Sequence, residues 1–163
     1  MLSKEEIFEA LTTWNYRNNP IPETVHRPAY EKQIIRKAKS GEILILKGVR
    51  RSGKSTLLIN EMKRLVAEGH DMNRILYVNF EDPRFINHLN LELMERIKET
   101  YLEFIAPDGK PFFFFDEVQN IPAWEKWLLK EYATKSAHLY VTGSCSSLLS
   151  REIGTALSGR YLD

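Results

Sequence analysis

The sequence has 163 residues, 43% of them hydrophobic, with 23 basic against 22 acidic side chains. That size and composition suit one globular domain with a real core, and the balanced charge offers no field for nucleic acid or an anionic membrane. The one cysteine excludes an internal disulfide, the four histidines lack zinc-site spacing, and neither a signal peptide nor a membrane-length apolar run is present, so the expected setting is cytoplasmic.

Ser3, with Glu6 three residues on, has the capping-box pattern of a helix start, and Ile7, Leu11 and Trp14 give that helix an apolar face. The polar, proline-containing stretch "NYRNNPIPETVHRP" reads as a loop. A second helix is expected over "AYEKQIIRKAKSGE", with Tyr30, Ile34 and Ile35 inward and Gly41 at its end. Then the period changes. "ILILK" is a short unbroken apolar run, as in a strand covered on both faces. "KSTLLINEMKRLVAEGH" is helical, with Leu57, Leu58, Met62 and Leu65 on one face and Gly69 ending it. "RILYVNF" predicts a second strand, Asp82-Pro83 a short helical turn, and "LELMERIKETYLEFIA" a helix. "FFFFD" predicts a third buried strand, "IPAWEKWLLKEYA" a helix with Pro122 near its first position, and "HLYVTGS" a fourth strand. "SSLLSREIGTALSGRYLD" is expected to be a final helix. Apolar strands alternating with helices predict an α/β fold with a parallel sheet covered on both faces.

Gly48, Gly53, Lys54 and Ser55 satisfy G-x-x-x-x-G-K-S/T, the P-loop or Walker A pattern, between an apolar strand and an amphipathic helix. Glycines let backbone N–H groups turn onto phosphate oxygens, and the helix N-terminus adds the positive end of its dipole. Gly48, Arg50, Arg51, Ser52, Gly53, Lys54, Ser55 and Thr56 are therefore the candidate phosphate-binding residues, with Lys54 reaching the β- and γ-phosphates and Ser55 taking a Mg²⁺ position. The buried strand "FFFF" ends in Asp116 and Glu117, although unpaired buried charge is costly. Asp116 fits the Walker B acid that holds Mg²⁺, and Glu117 is placed to polarise an attacking water. Both could instead cap the helix that follows. The glutamate favours a hydrolase over a nucleotide kinase. After the fourth strand "VTGS" stands where a guanine-reading N-K-x-D would be, which favours ATP over GTP.

"GVRRSGKSTLL", "FFFFDEVQNIPAWE" and "VTGSCSSLLSREIGTALSGRYL" resemble the AAA-domain ATPases of bacteria and archaea related to the archaeal ATPase family, from about Arg27 onward. The resemblance implies a P-loop NTPase three-layer sandwich with strand order 5-1-4-3-2 and a catalytic glutamate after the Mg²⁺ aspartate. On that order Thr142 and Ser144, at the end of the fourth strand, would face the γ-phosphate as polar sensors, or else serve as an ordinary turn or helix cap. Family members continue past G-R-Y into another strand and a C-terminal domain, so the fifth strand is expected to be absent here. That leaves one edge of the sheet unpaired. Residues 1–40 would then form an N-terminal helical extension and residues 41–163 an incomplete P-loop core.

One of Arg50 and Arg51 is expected to meet a phosphate or a neighbouring acid while the other faces a partner, or both face solvent. Arg151 and Arg160 are candidates for an arginine that stabilises the transition state, Arg160 through its G-R-Y context. Arg27 and Tyr30 precede the core on the side where adenine would approach. Gln119 and Asn120 either read the γ-phosphate or cap the next helix, with the cap preferred. Trp124, Trp127 and Leu128 are expected in the core, and Lys32, Arg36 and Lys39 on a solvated face. The leading expectation is an ATP- and Mg²⁺-dependent ATPase, with a non-hydrolysing nucleotide switch as the alternative. A homo-oligomer and an unidentified protein partner remain open, and the neutral charge disfavours nucleic acid.

Overall fold

The computed structural model describes residues 1–16, 19–105, 107–144 and 161–162. Helix α1, Lys4–Thr13, opens with the anticipated capping box: Ser3 Oγ accepts from the Glu6 N–H and Glu6 accepts from the Ser3 N–H. Helix α2 is Pro28–Lys39, with its proline in the first turn, where a missing N–H costs nothing. Strand β1, Leu44–Lys47, leads through the glycine-rich loop into α3, Lys54–Ala67. The remaining elements are β2 Ile75–Asn79, α4 Leu91–Phe104, β3 Phe112–Asp116, α5 Trp124–Thr134, β4 His138–Gly143 and β5 Tyr161–Leu162. Gly69 closes α3 at φ +97°, and Asp82 caps the short turn Pro83–Phe85.

All strands are parallel, in the order β2-β3-β4-β1-β5, which is 5-1-4-3-2 read from the other edge. One expectation is thereby corrected. The fifth strand is present, with Tyr161 and Leu162 beside Ile45 and Leu46 on the β1 edge that had been expected to lie open. The predicted final helix does not extend through these two residues; the rest of that segment lies outside the described residues.

The sheet divides its side chains by the two-residue period of a strand. Phe113, Phe115, Leu76, Val78, Ile43, Ile45, Leu139 and Val141 pack with α1, α4 and α5. Phe112, Phe114, Ile75, Tyr77, Leu44, Leu46 and Tyr140 pack with α2 and α3. The run "FFFF" is thus two alternating sets of aromatics, one for each helical layer. Phe114 stacks on Tyr140 with centroids 4.3 Å apart, and Phe115 lies 5.5 Å from both Phe80 and Trp127. Trp124, Trp127 and Leu128 are core residues, and Lys32, Arg36 and Lys39 are exposed. Ile34 is buried as expected, Ile35 only partly, whereas Tyr30 is exposed because it leaves the α2–α3 seam to lie beneath the Arg27 guanidinium at 4.8 Å. Helix α5 begins at Trp124 after Ala123 in the left-handed region, so Pro122 stands before the helix rather than in its first turn.

Removing a fully buried ring leaves a cavity that a three-layer sandwich cannot easily close. Phe114→Ala should therefore lower the unfolding free energy by about 3–5 kcal/mol, read from urea titration. A second test uses His138, whose ring stacks on Phe112 at 4.5 Å. Burial, with Lys110, Arg74 and His70 nearby, lowers its pKa from 6.5 to about 4. The unfolded chain takes up this proton near pH 6.5 and the folded chain only near 4. The neutral ring's contribution is therefore complete above pH 6.5 and is lost as pH falls toward 4. Thermal melts across that interval should show a shallower loss of stability in His138→Phe than in the parent.

Candidate functional site

The C-terminal ends of β1, β3 and β4 converge at the N-terminus of α3. Strand alternation sets Asp116 on the same face as Phe112 and Phe114, the face that α3 covers. There the Ser55 hydroxyl, in the first turn of α3, donates to Asp116 Oδ2 at 2.6 Å. The Tyr77 hydroxyl from β2 donates to the same oxygen at 2.6 Å, and Thr142 from β4 donates to Oδ1. Asp116 is 1% exposed. Burial first, then the adjacent Asp116 carboxylate, push Tyr77 far above the ordinary phenol range, which keeps its proton available for donation. Tyr16 is shifted upward by the same two causes.

The glycine loop folds on itself. Lys54 is 5% exposed, and its ammonium donates to the carbonyls of Gly48 at 3.0 Å and Val49 at 2.9 Å. Glu117 Oε1 lies 4.0 Å from the same nitrogen. Gly53 has φ +89°, a left-handed conformation that L side chains rarely adopt, and a Cβ there would stand 2.9 Å from Arg27 Nη1. That guanidinium nitrogen donates to the Ser52 carbonyl at 2.8 Å, so a residue before the P-loop fastens the loop from outside. Arg27, Tyr30, Ile34, Leu46, Gly48 and Lys54 are among the residues lining a cleft of about 140 Å³ beside the loop.

Glu117 is itself left-handed, at φ 56°. Its N–H donates to Thr142 Oγ1 at 3.0 Å, and its Oε2 accepts from Gln119 Nε2 at 2.6 Å. The structure thus brings together Gly48, Ser52, Gly53, Lys54, Ser55, Asp116, Glu117 and Thr142, with Thr56 on the next position of α3. Arg50 and Arg51 are both exposed; Arg50 lies 3.3 Å from Glu81, and Arg51 has φ 65°. The alternative of Asp116 and Glu117 as helix caps does not hold, because among the described residues α5 has no side-chain cap. The same fact corrects the capping expectation for Gln119 and Asn120. Gln119 turns back to Glu117, and Asn120 reaches the Phe80 carbonyl at 3.5 Å. Arg151 and Arg160 lie outside the described residues.

Sequence reading did not find Tyr77. Its signal is positional: parallel register sets Tyr77 beside Phe114, two residues before Asp116 on the same face. Arg27 was noted for adenine, not as a fastening of the P-loop.

Comparison with known proteins gives this arrangement its class. Residues 40–163 match the family described as AAA domain. The chain belongs to that family of P-loop, nucleotide-binding domains. An uncharacterized protein of Methanocaldococcus jannaschii is 32% identical over 162 residues, 99% of this chain and 33% of the relative. An uncharacterized protein of Haemophilus influenzae is 33% identical over 139 residues, 85% of this chain and 34% of the relative. The chain spans about a third of the length of these relatives. Among the described residues no helix is long and apolar enough to cross a membrane.

The loop geometry has a measurable cost if disturbed. Gly53→Ala should destabilise the fold by about 1–2 kcal/mol through the left-handed backbone alone. It should also displace Arg27, visible as a lower urea midpoint and altered loop amide resonances.

Proposed function

We propose that this domain binds ATP with Mg²⁺ and hydrolyses it. The observation that carries the reading is the 2.6 Å contact between Ser55 in the P-loop helix and Asp116 at the end of the buried strand, beside the buried Lys54 ammonium. The residues fit a small hard cation. Asp116 offers a carboxylate whose three side-chain partners among the described residues are uncharged hydroxyls, so its negative charge is not neutralised by them. Among the described residues no cluster of three or more acidic, histidine or cysteine ligands forms a cage of its own. This agrees with a metal held by few side chains and by the phosphates themselves.

On this reading Ser55 and Asp116 hold the Mg²⁺, which would neutralise charge on the β- and γ-phosphate oxygens. Lys54 exchanges the Gly48 and Val49 carbonyls for phosphate oxygens. Backbone N–H groups from Gly48 to Thr56 turn toward the phosphates, with Arg50 and Arg51 at the loop's outer rim. Thr142 holds both Asp116 and the Glu117 backbone, which ties the metal acid to the water-orienting acid. Glu117 accepts a proton from water as the water oxygen bonds to the γ-phosphorus, and the bond from that phosphorus to the β–γ bridging oxygen breaks. ADP and phosphate leave. The cleft lined by Arg27, Tyr30 and Ile34 is the side from which the base would enter.

Phosphate release from ATP tests this directly. It should require Mg²⁺ and fall by on the order of 10²–10³-fold in Glu117→Gln, with ATP binding retained. Binding without phosphate release at any protein concentration would leave a nucleotide-holding switch and overturn the hydrolytic reading.

A further inference from the structure

Gln119 sits in the short helical turn Val118–Asn120, between the acidic strand and α5. The turn is fixed at both ends. Val118 is fully buried, and the N–H groups of Asn120 and Ile121 donate to the carbonyls of Glu117 and Val118. From there the Gln119 side chain returns toward the strand end and donates Nε2–H to Glu117 Oε2 at 2.6 Å, a short charge-assisted bond. The orientation of the amide follows from chemistry. A carboxylate only accepts, so the NH₂ must face it and the amide oxygen must face away. That oxygen, Gln119 Oε1, is buried and has no hydrogen-bond partner among the described residues. A glutamine free to choose would satisfy both ends of its amide. Here one end is held by Glu117 at the expense of the other.

The contact also selects which oxygen of Glu117 is presented. Gln119 takes Oε2, while Oε1 is the atom 4.0 Å from Lys54 Nζ. The carboxylate therefore shows one defined oxygen to the phosphate end of the loop and gives the other to the amide. Its backbone is set independently, by Thr142. We propose that Gln119 is a positioning residue for Glu117: it locks the carboxylate so that Oε1 faces the attacking water. This rests on the hydrolytic reading above. An amide that merely completed the turn would have no need of the carboxylate.

The test combines a spectroscopic and a kinetic reading on the full chain. In the nucleotide-free protein the Gln119 side-chain amide signal, assigned by its loss in Gln119→Met, should move on Glu117→Ala; an unmoved signal would overturn the contact and the proposal with it. In steady-state kinetics Gln119→Met should lower kcat by roughly 10- to 100-fold, the usual scale for a residue orienting a reactive ligand. Its KM for ATP should stay within about twofold. Gln119→Ala should behave alike, and circular dichroism should confirm that both variants fold; if neither folds, the amide signal in the parent and in Glu117→Ala decides. An unchanged or raised kcat in Gln119→Met, where Glu117→Gln abolishes turnover, would overturn the proposal alone. Absence of turnover in the parent would overturn the hydrolytic reading itself.

Discussion

The Asp116 carboxylate is the constraint on which the site depends. A carboxylate that is 1% exposed must be compensated or its burial would cost several kcal/mol. Three hydroxyls meet it, from α3, β2 and β4. Each hydroxyl belongs to a different element, so satisfying one carboxylate fixes the end of the P-loop helix against three adjacent strands. The bonds come from neutral donors, which hold the group in place without cancelling its charge. The aromatic sandwich beneath supplies the rest: Phe114 and Tyr140 stack one pleat below the carboxylate, leaving little freedom for the strand ends to separate.

The P-loop shows the complementary arrangement for a buried cation. Lys54 is nearly as buried as Asp116, and its ammonium is met by two loop carbonyls. A loop that closes over its own lysine keeps the charge satisfied. Arg27 ties the same loop to the chain before β1 through Ser52, and Glu31 accepts the Arg27 N–H at 2.9 Å. The start of α2 is thereby mechanically connected to the phosphate loop.

Much of this was legible because it rests on short-range pattern. The P-loop spacing, the apolar strands, the Ser3 capping box and the acidic pair are local signals whose physical meaning changes little with context. What escaped was set by register. Nothing in "ILYVN" indicates that Tyr77 meets Asp116; that follows only once β2 and β3 pair with Tyr77 beside Phe114. Of the two readings of Gln119, the preferred one, a helix cap, does not hold: "VQNIPAW" carries plausible capping residues, yet the helix starts later, after a left-handed Ala123. The Tyr161–Leu162 strand was missed for another reason. Two residues are too few to show alternation, and their pairing with Ile45 and Leu46 is a tertiary fact.

The backbone at Glu117 joins these observations. In a continuing strand, successive side chains point to opposite faces. Asp116 faces α3, so a regular Glu117 would face the α4–α5 layer, away from Lys54. The left-handed turn at φ 56° breaks the alternation and returns the side chain toward the loop, within 4.0 Å of the lysine. A non-glycine residue in that region costs about 1–2 kcal/mol and persists only where its surroundings enforce it. Here Thr142 accepts the Glu117 N–H and Gln119 donates to its carboxylate. Glycine would relieve the strain but remove the carboxylate. An acid is retained at a position where the backbone favours glycine, and two neighbours hold it there. Two adjacent carboxylates are thereby turned to one site with different partners, Asp116 to hydroxyls and Glu117 to an amide beside a cation.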